Sequence, residues 1–357
     1  MRGFSAVCAL AVCFGLVATQ AQATKLAGEF LASGPGARAL GMGGAFSSVA
    51  DDASAGYWNP AGLVQLDTGQ VMLMYSQRFG SLIDHNCFSM SHPLSREGDA
   101  RSAGAVSLLW LRASDIAMTS NLTEPDVDFD DTDGDGIWDP GTERRFWRPD
   151  RVRWESDNEL AALLSYARTL RPDLSMGTSA KVIWKDVADI TCLGFGVDVG
   201  MLYEPTDNVR LGAKIADITT TPLYWDGWYY APAEAGGTEK KKVSTTETIY
   251  PSVRLGASYT LAVAAISGKV LVAADCDFRF EGLTEEEADF AFSDVSGDVK
   301  LGALYQYRDA VHVSLGMDQQ APTAGIGLAV GKFGVDYAFW RDEELDNSHR
   351  ISVNMNF

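Results

Sequence analysis

Asp131, Asp133 and Asp135 stand at alternate positions in Asp126-Val-Asp-Phe-Asp-Asp-Thr-Asp-Gly-Asp-Gly-Ile-Trp-Asp139, with Gly136, Ile137 and Asp139 behind them. Such spacing gathers hard carboxylate oxygens and the Ile137 carbonyl around one cation while glycine makes the sharp turn, so the stretch predicts a calcium site. Thr142 occupies the place of the bidentate Glu of a helix-loop-helix site, Glu143 falls one place late, and no amphipathic helix flanks the segment. A short Asp-rich calcium turn is therefore the form expected, against the plainer reading of a solvated acidic loop. The histidines His85, His92, His312 and His349 are scattered, and none sits in a motif joining a nucleophile, a base and an orienting group, so no catalytic site is expected. Cys87, Cys192 and Cys276 are too few and too irregular for a disulfide framework.

The elements that must carry these residues are strands. Met1-Arg2, the apolar run Phe4 to Thr19 and the small-x-small Ala21-Gln22-Ala23 predict a cleaved secretory signal over 1–23. That run falls short of the roughly 20 apolar residues of a membrane helix. Beyond it no segment is apolar enough for a helical span, so a membrane-integral chain has to cross as a closed sheet. From Gln70 onward, period-two alternation gives about 14 strands, most near the roughly 9 to 11 residues a tilted membrane strand needs. Leu193, Phe195, Val197, Val199, Met201 and Tyr203 share one face; Gly194, Gly196, Asp198 and Gly200 share the other. Charged residues are costly against lipid, so the polar face points inward.

The connections separate a barrel from a β-sandwich, whose strands also alternate. One side carries short turns such as Arg171-Pro172-Asp173, Arg308-Asp309 and Gly331-Lys332. The other carries the long segments Ala113 to Ser156, Ile218 to Thr248, Glu281 to Ser296 and Arg341 to Asn347. That asymmetry predicts an all-β, transmembrane antiparallel β-barrel over 69–357 with long outer loops at about 113–156 and 218–248. The final strand alternates Ile351, Val353 and Met355 with Ser352, Asn354 and Asn356, and the terminal Phe357 resembles the signal read by the barrel-assembly machinery. A net charge of −19 excludes nucleic acid as a partner, because that requires a basic footprint. Arg144, Arg145, Arg148, Arg151 and Arg153, interleaved with Phe146, Trp147 and Trp154, can meet lipopolysaccharide phosphates or the acidic loop itself. Lys181, Lys185, Asp198, Arg210, Lys214, Arg254, Asp275, Asp277 and Lys300 are expected to form a salt-bridged network in the lumen.

Three blocks precede the first strand: Gly36-Ala-Arg-Ala-Leu-Gly-Met-Gly-Gly-Ala-Phe46, Ala50-Asp-Asp52 and Tyr57-Trp-Asn-Pro-Ala-Gly-Leu63. Gly41-Met-Gly-Gly is no nucleotide loop, since no Lys-Ser/Thr follows and no βαβ pattern surrounds it. The blocks resemble the N-terminal hallmark of the FadL superfamily of outer-membrane proteins, in the wording of its PorV/PorQ branch. The resemblance implies that 24–68 folds into the barrel as a small hatch, with Asn59, Pro60, Ala61 and Gly62 as its motif. It implies residence in the outer membrane of a Gram-negative-type bacterium. For function it implies binding or shuttling of secreted protein cargo, as in type IX secretion; the alternatives are a channel for long-chain fatty acids or other hydrophobic small molecules, and a structural surface barrel.

Overall fold

The structure is a computed structural model that describes residues 28–357 apart from 79–81, 98–99, 119–126, 133–137, 140–141, 143, 233–237, 264–266, 281–287, 294 and 342–346. The expected signal over 1–23 lies outside the described residues. Among those described, no helix is long and apolar enough to cross a membrane.

In chain order the strands are β1 (Gln70–Arg78), β2 (Ile83–Glu97), β3 (Ala100–Met118), β4 (Val127–Phe129), β5 (Arg145–Trp147), β6 (Arg153–Arg171), β7 (Leu174–Val187), β8 (Ile190–Thr206), β9 (Val209–Ala216) and β10 (Thr221–Pro232). They continue as β11 (Thr238–Ile249), β12 (Ser252–Val263), β13 (Gly268–Arg279), β14 (Phe290–Phe292), β15 (Val295–Tyr307), β16 (Val311–Asp318), β17 (Ala321–Val330), β18 (Phe333–Trp340) and β19 (Ser348–Asn356). Leaving aside the short β4, β5 and β14 and the β10/β11 pair, 14 strands pair antiparallel in sequence order, and β19 returns to β1 with Gln70 opposite Asn356. Every wall strand therefore has two neighbours and no backbone edge faces lipid, which is the condition a sheet must meet to cross a bilayer.

The alternation seen in the sequence is the alternation of the wall. On β8, Cys192, Gly194, Gly196, Asp198, Gly200 and Leu202 are buried, while Leu193, Phe195 and Met201 are exposed. Leu315 lies at the middle of the short strand β16, 64% exposed on the outer face, where only lipid can cover it. Replacing it with arginine is expected to cost about 2–4 kcal/mol, the range for a cation near the bilayer midplane. Denaturant unfolding of the protein folded in vesicles measures this, and an unchanged midpoint would move that face away from lipid.

Within the segment 218–248, expected to be an outer loop, residues 221–232 and 238–248 are strand. β10 pairs with the upper half of β8, with Leu223 opposite Gly194, and β11 pairs with β10 along its whole length. Below them β9 pairs with the lower half of β8 and with β12. The β9–β10 and β11–β12 strands thus carry two wall strands outward as a tall hairpin. A kink interrupts the rise at Asp217 and Thr220, both with positive φ. Alternation fails to flag it because Trp228-Tyr-Tyr230 and Lys240-Lys-Lys242 put like residues on both faces. The other long segment is shorter than expected, since β3 runs to Met118 and β6 starts at Arg153, and the small β4/β5 hairpin stands between them.

Residues 28–66 lie inside the barrel. Their short helices are α1 (Glu29–Ala32), α2 (Ala37–Gly41) and α3 (Ala55–Trp58), followed by a 3-10 turn over Pro60–Gln65. Met42, Phe46, Val49, Trp58 and Leu63 of this segment bury themselves among Met72, Leu109 and Ile183 of the wall. None of these helices is long enough to be stable alone, so tertiary packing holds them.

Candidate functional site

The internal segment is seated by polar ties to its backbone. Asn59 is fully buried; its side-chain amide donates to the Ser47 carbonyl at 2.8 Å and to Met201 on β8 at 3.0 Å. Its Oδ1 accepts the Ala61 N–H at 3.1 Å and so caps the 3-10 turn that Pro60 opens. Pro60, Ala61 and Gly62 are buried behind it. Pro60 rests on Gly177 and Gly200, directly opposite one another on β7 and β8, and a Cβ on either would collide with it. Across the lumen, Asp275 accepts the backbone N–H groups of Phe46 at 3.1 Å and Ser47 at 2.8 Å. On the closing strand, Ser352 accepts from Ala37 N at 2.9 Å, and the Arg350 guanidinium donates to the Gly34 carbonyl at 2.8 Å. Within the segment, Arg38 pairs with Asp51 and with Asp52. Burial works against the Arg38 charge, but the two carboxylates outweigh it and raise its pKa above the usual value. For the Tyr57 phenol, burial acts the other way and raises the pKa.

The lumenal ions come together in groups rather than one network. Lys181 reaches Asp198 at 3.0 Å and Asp217 at 2.8 Å, and Lys214 reaches Asp198 at 3.0 Å and the Tyr57 carbonyl at 2.5 Å. Arg254 pairs with Asp277, and Lys300 with Asp318 at 2.9 Å. Lys185 pairs with Glu159 at 2.7 Å, and Arg210 with Glu204 at 2.5 Å. His312 is turned to Asp336, 3.4 Å away. The three thiols are free. Between these groups and the internal segment lies a cavity of about 210 Å³, lined by Tyr57, Leu31, Leu40 and Ile249 beside Lys181, Lys214 and Arg350. Asp217, Trp340 and Arg350 join the site without being among the residues expected from the sequence. For Arg350 the signal was present, a cation on the polar face of the last strand; for Asp217 there was none, because its place depends on the kink.

Of the proposed calcium ligands, Asp131 and Asp139 are exposed, while Asp133, Asp135 and Ile137 lie outside the described residues. Among the described residues no three His, Cys, Asp or Glu side chains converge as a metal site. Phe357 sits at the end of the closing strand, its N–H donating to the Gly69 carbonyl at 2.8 Å, its ring 5.9 Å from that of His92.

A closed 14-stranded barrel, apolar outside and filled within by its own N-terminal segment, defines an outer-membrane protein of the FadL-type fold. The chain is similar in structure to the Pseudomonas putida toluene transporter TodX, at a TM-score of 0.58 and 14% identity over 91% of this chain and 99% of that one. It is similar to the CymD monoaromatic hydrocarbon channel at 0.57 and 15% over 91% and 98%, and to a Pseudomonas aeruginosa FadL homologue at 0.53 and 10% over 90% and 98%. At this identity the likeness is one of fold. No family model matches the sequence, and no curated protein matches it.

Proposed function

We propose that the protein is a channel for hydrophobic small molecules in the outer membrane, with residues 28–66 as its hatch. The observation that carries this reading is a lumen closed by a segment held through individual hydrogen bonds and ion pairs, with a cavity directly beyond it. Ties of this kind are individually worth about 0.5–3 kcal/mol and can be exchanged without unfolding the wall. The hydrocarbon and toluene channels among its structural neighbours support the same reading over that of a carrier for secreted proteins. Such neighbours are transporters, in keeping with a protein without catalytic chemistry.

Flux into proteoliposomes tests it. Wild-type protein is expected to speed entry of toluene while excluding hydrophilic dyes of larger size. Asn59→Ala, which removes the ties to Ser47 and Met201, is expected to admit the dye as well. Toluene entry no faster than through protein-free vesicles would end the channel reading, and co-purification of a secreted protein with an inert barrel would favour the cargo role.

A further inference from the structure

The tall hairpin leaves one backbone edge unpaired. β11 bonds to β10 along its whole length, and no other strand lies beside it among the described residues. The register shows which main-chain groups are left over. In an antiparallel pair, opposed residues either exchange both backbone bonds or turn them both away. Trp228 gives its N–H to the Asp189 carbonyl at 3.2 Å, on the β8 side, so Lys242 opposite it turns its own N–H and C=O to the free side. Every second residue does the same. The main-chain groups of Lys240, Lys242, Ser244 and Thr246 thus form a row of donors and acceptors with no strand to take them.

This edge stands clear of the membrane. Trp110, Trp184 and Tyr224 are exposed on the outer wall at one level, linked across the ladders through Leu160 and Leu193. Such a level marks the girdle where a barrel meets water. Thr246 lies opposite Tyr224, so Ser244 to Lys240 rise beyond it. Hydrocarbon also excludes an open edge, since nothing there satisfies the backbone. Lys240 and Lys242 are exposed on the outer face, the first with its Nζ 5.6 Å from the Trp228 ring and the second 3.3 Å from Asp226. Lys241 takes Glu239 at 2.6 Å on the other face. No carboxylate among the described residues pairs with Lys240.

We infer that the free edge of β11 is a docking site for an extended acidic segment of a partner protein outside the cell, which adds to the hairpin as a further strand. Strand addition satisfies the row of backbone groups. Side chains of the incoming strand alternate between the two faces, so carboxylates at every second position meet Lys240 and Lys242. A second copy of this chain is the wrong occupant. Two barrels in one bilayer point the same way, so a twofold axis along the membrane normal sets their β11 strands parallel and in register, lysine against lysine. The charges that repel a like strand select an acidic one. The surface is separate from the lumen and stands whether or not the barrel conducts.

Fluorescence anisotropy of a labelled peptide alternating threonine and glutamate, titrated with the full chain in detergent, tests the inference. Saturable binding is expected, and it is lost when the peptide is N-methylated throughout, which keeps the charge but blocks the backbone bonds. Ser244→Pro removes a donor from the free edge and leaves the ladder to β10 intact. It is expected to weaken the peptide several-fold while the barrel's heat-modifiable mobility stays unchanged. Lys240→Gln combined with Lys242→Gln is expected to weaken it several-fold and to flatten its dependence on salt. Absence of saturable binding, or wild-type affinity in both variants, would overturn the assignment. So would equal binding of the N-methylated peptide, the mark of a surface that takes polyanions such as glycolipid phosphates rather than a strand.

Discussion

Gly200→Leu is expected to turn a closed barrel into a conducting one. Gly200 and its β-partner Gly177 form the bare patch of wall on which Asn59 and Pro60 rest, and a side chain on Gly200 meets both residues. Forcing extra atoms into a filled contact costs about 1–3 kcal/mol. The wall cannot yield, since each strand is bonded on both sides, so the hatch has to move. Applied to a seated-to-unseated equilibrium, that energy raises the open population by roughly 5- to 150-fold. Ion conductance in planar bilayers reports it directly. Met201→Leu, one residue along and facing lipid, is the control and leaves conductance at the wild-type level. A Gly200→Leu barrel that folds and stays as closed as wild type would mean the hatch does not seal the lumen.

The largest expected loss of stability is at Asp198. This carboxylate takes Lys181 on one oxygen and Lys214 on the other, and also accepts the Asp217 backbone N–H at 2.9 Å. Asp198→Ala leaves Lys214 with the carbonyl and ring of Tyr57 but no carboxylate, and Lys181 with Asp217 as its one carboxylate. Breaking a buried ion group by removing one member costs about 3–5 kcal/mol, because uncompensated charge stays behind in a dry place. Asp173→Ala disrupts the exposed pair with Arg171, and its cost is about 0–1 kcal/mol. Tryptophan fluorescence during denaturant unfolding from vesicles compares the two. Equal midpoints for Asp198→Ala and Asp173→Ala would show that water reaches the Asp198 group freely.

These two positions also mark how far the sequence is readable. That Asp198 and Gly200 face inward follows from alternation with Phe195, Val199 and Met201, since the period of two is a local property and lipid tolerates no charge on the other face. The closing pair β1/β19 is equally legible, because an even number of strands has to bring the last beside the first. Which cation meets which carboxylate is not legible. Lys181 and Asp217 are 36 residues apart, and they meet only because the chain kinks between β9 and β10. The tall β10/β11 hairpin was hidden for a related reason. Outside the membrane both faces of a strand are wet, so aromatic and lysine residues follow one another without the alternation that lipid imposes. The motif Asn59-Pro-Ala-Gly62 is legible by its residue types, but its contacts with Ser47 and Met201 are not, since they join positions 12 and 142 residues away.

The strand that closes the barrel carries Arg350 and Ser352, both bonded to the backbone near the start of the described chain, and is followed by Phe357, bonded to Gly69 just before the first strand. Time therefore enters the architecture. Until the closing strand docks, the N-terminal segment lacks two of its anchors, and the first strand lacks one of its neighbours. Sealing the cylinder and locking its stopper are then a single step, completed when the closing strand meets the first strand and the segment before it. A nascent barrel that closed with its stopper outside would lose these bonds along with those to Asp275 and Met201. The seam thus ties the closing of the wall to the seating of the segment inside it.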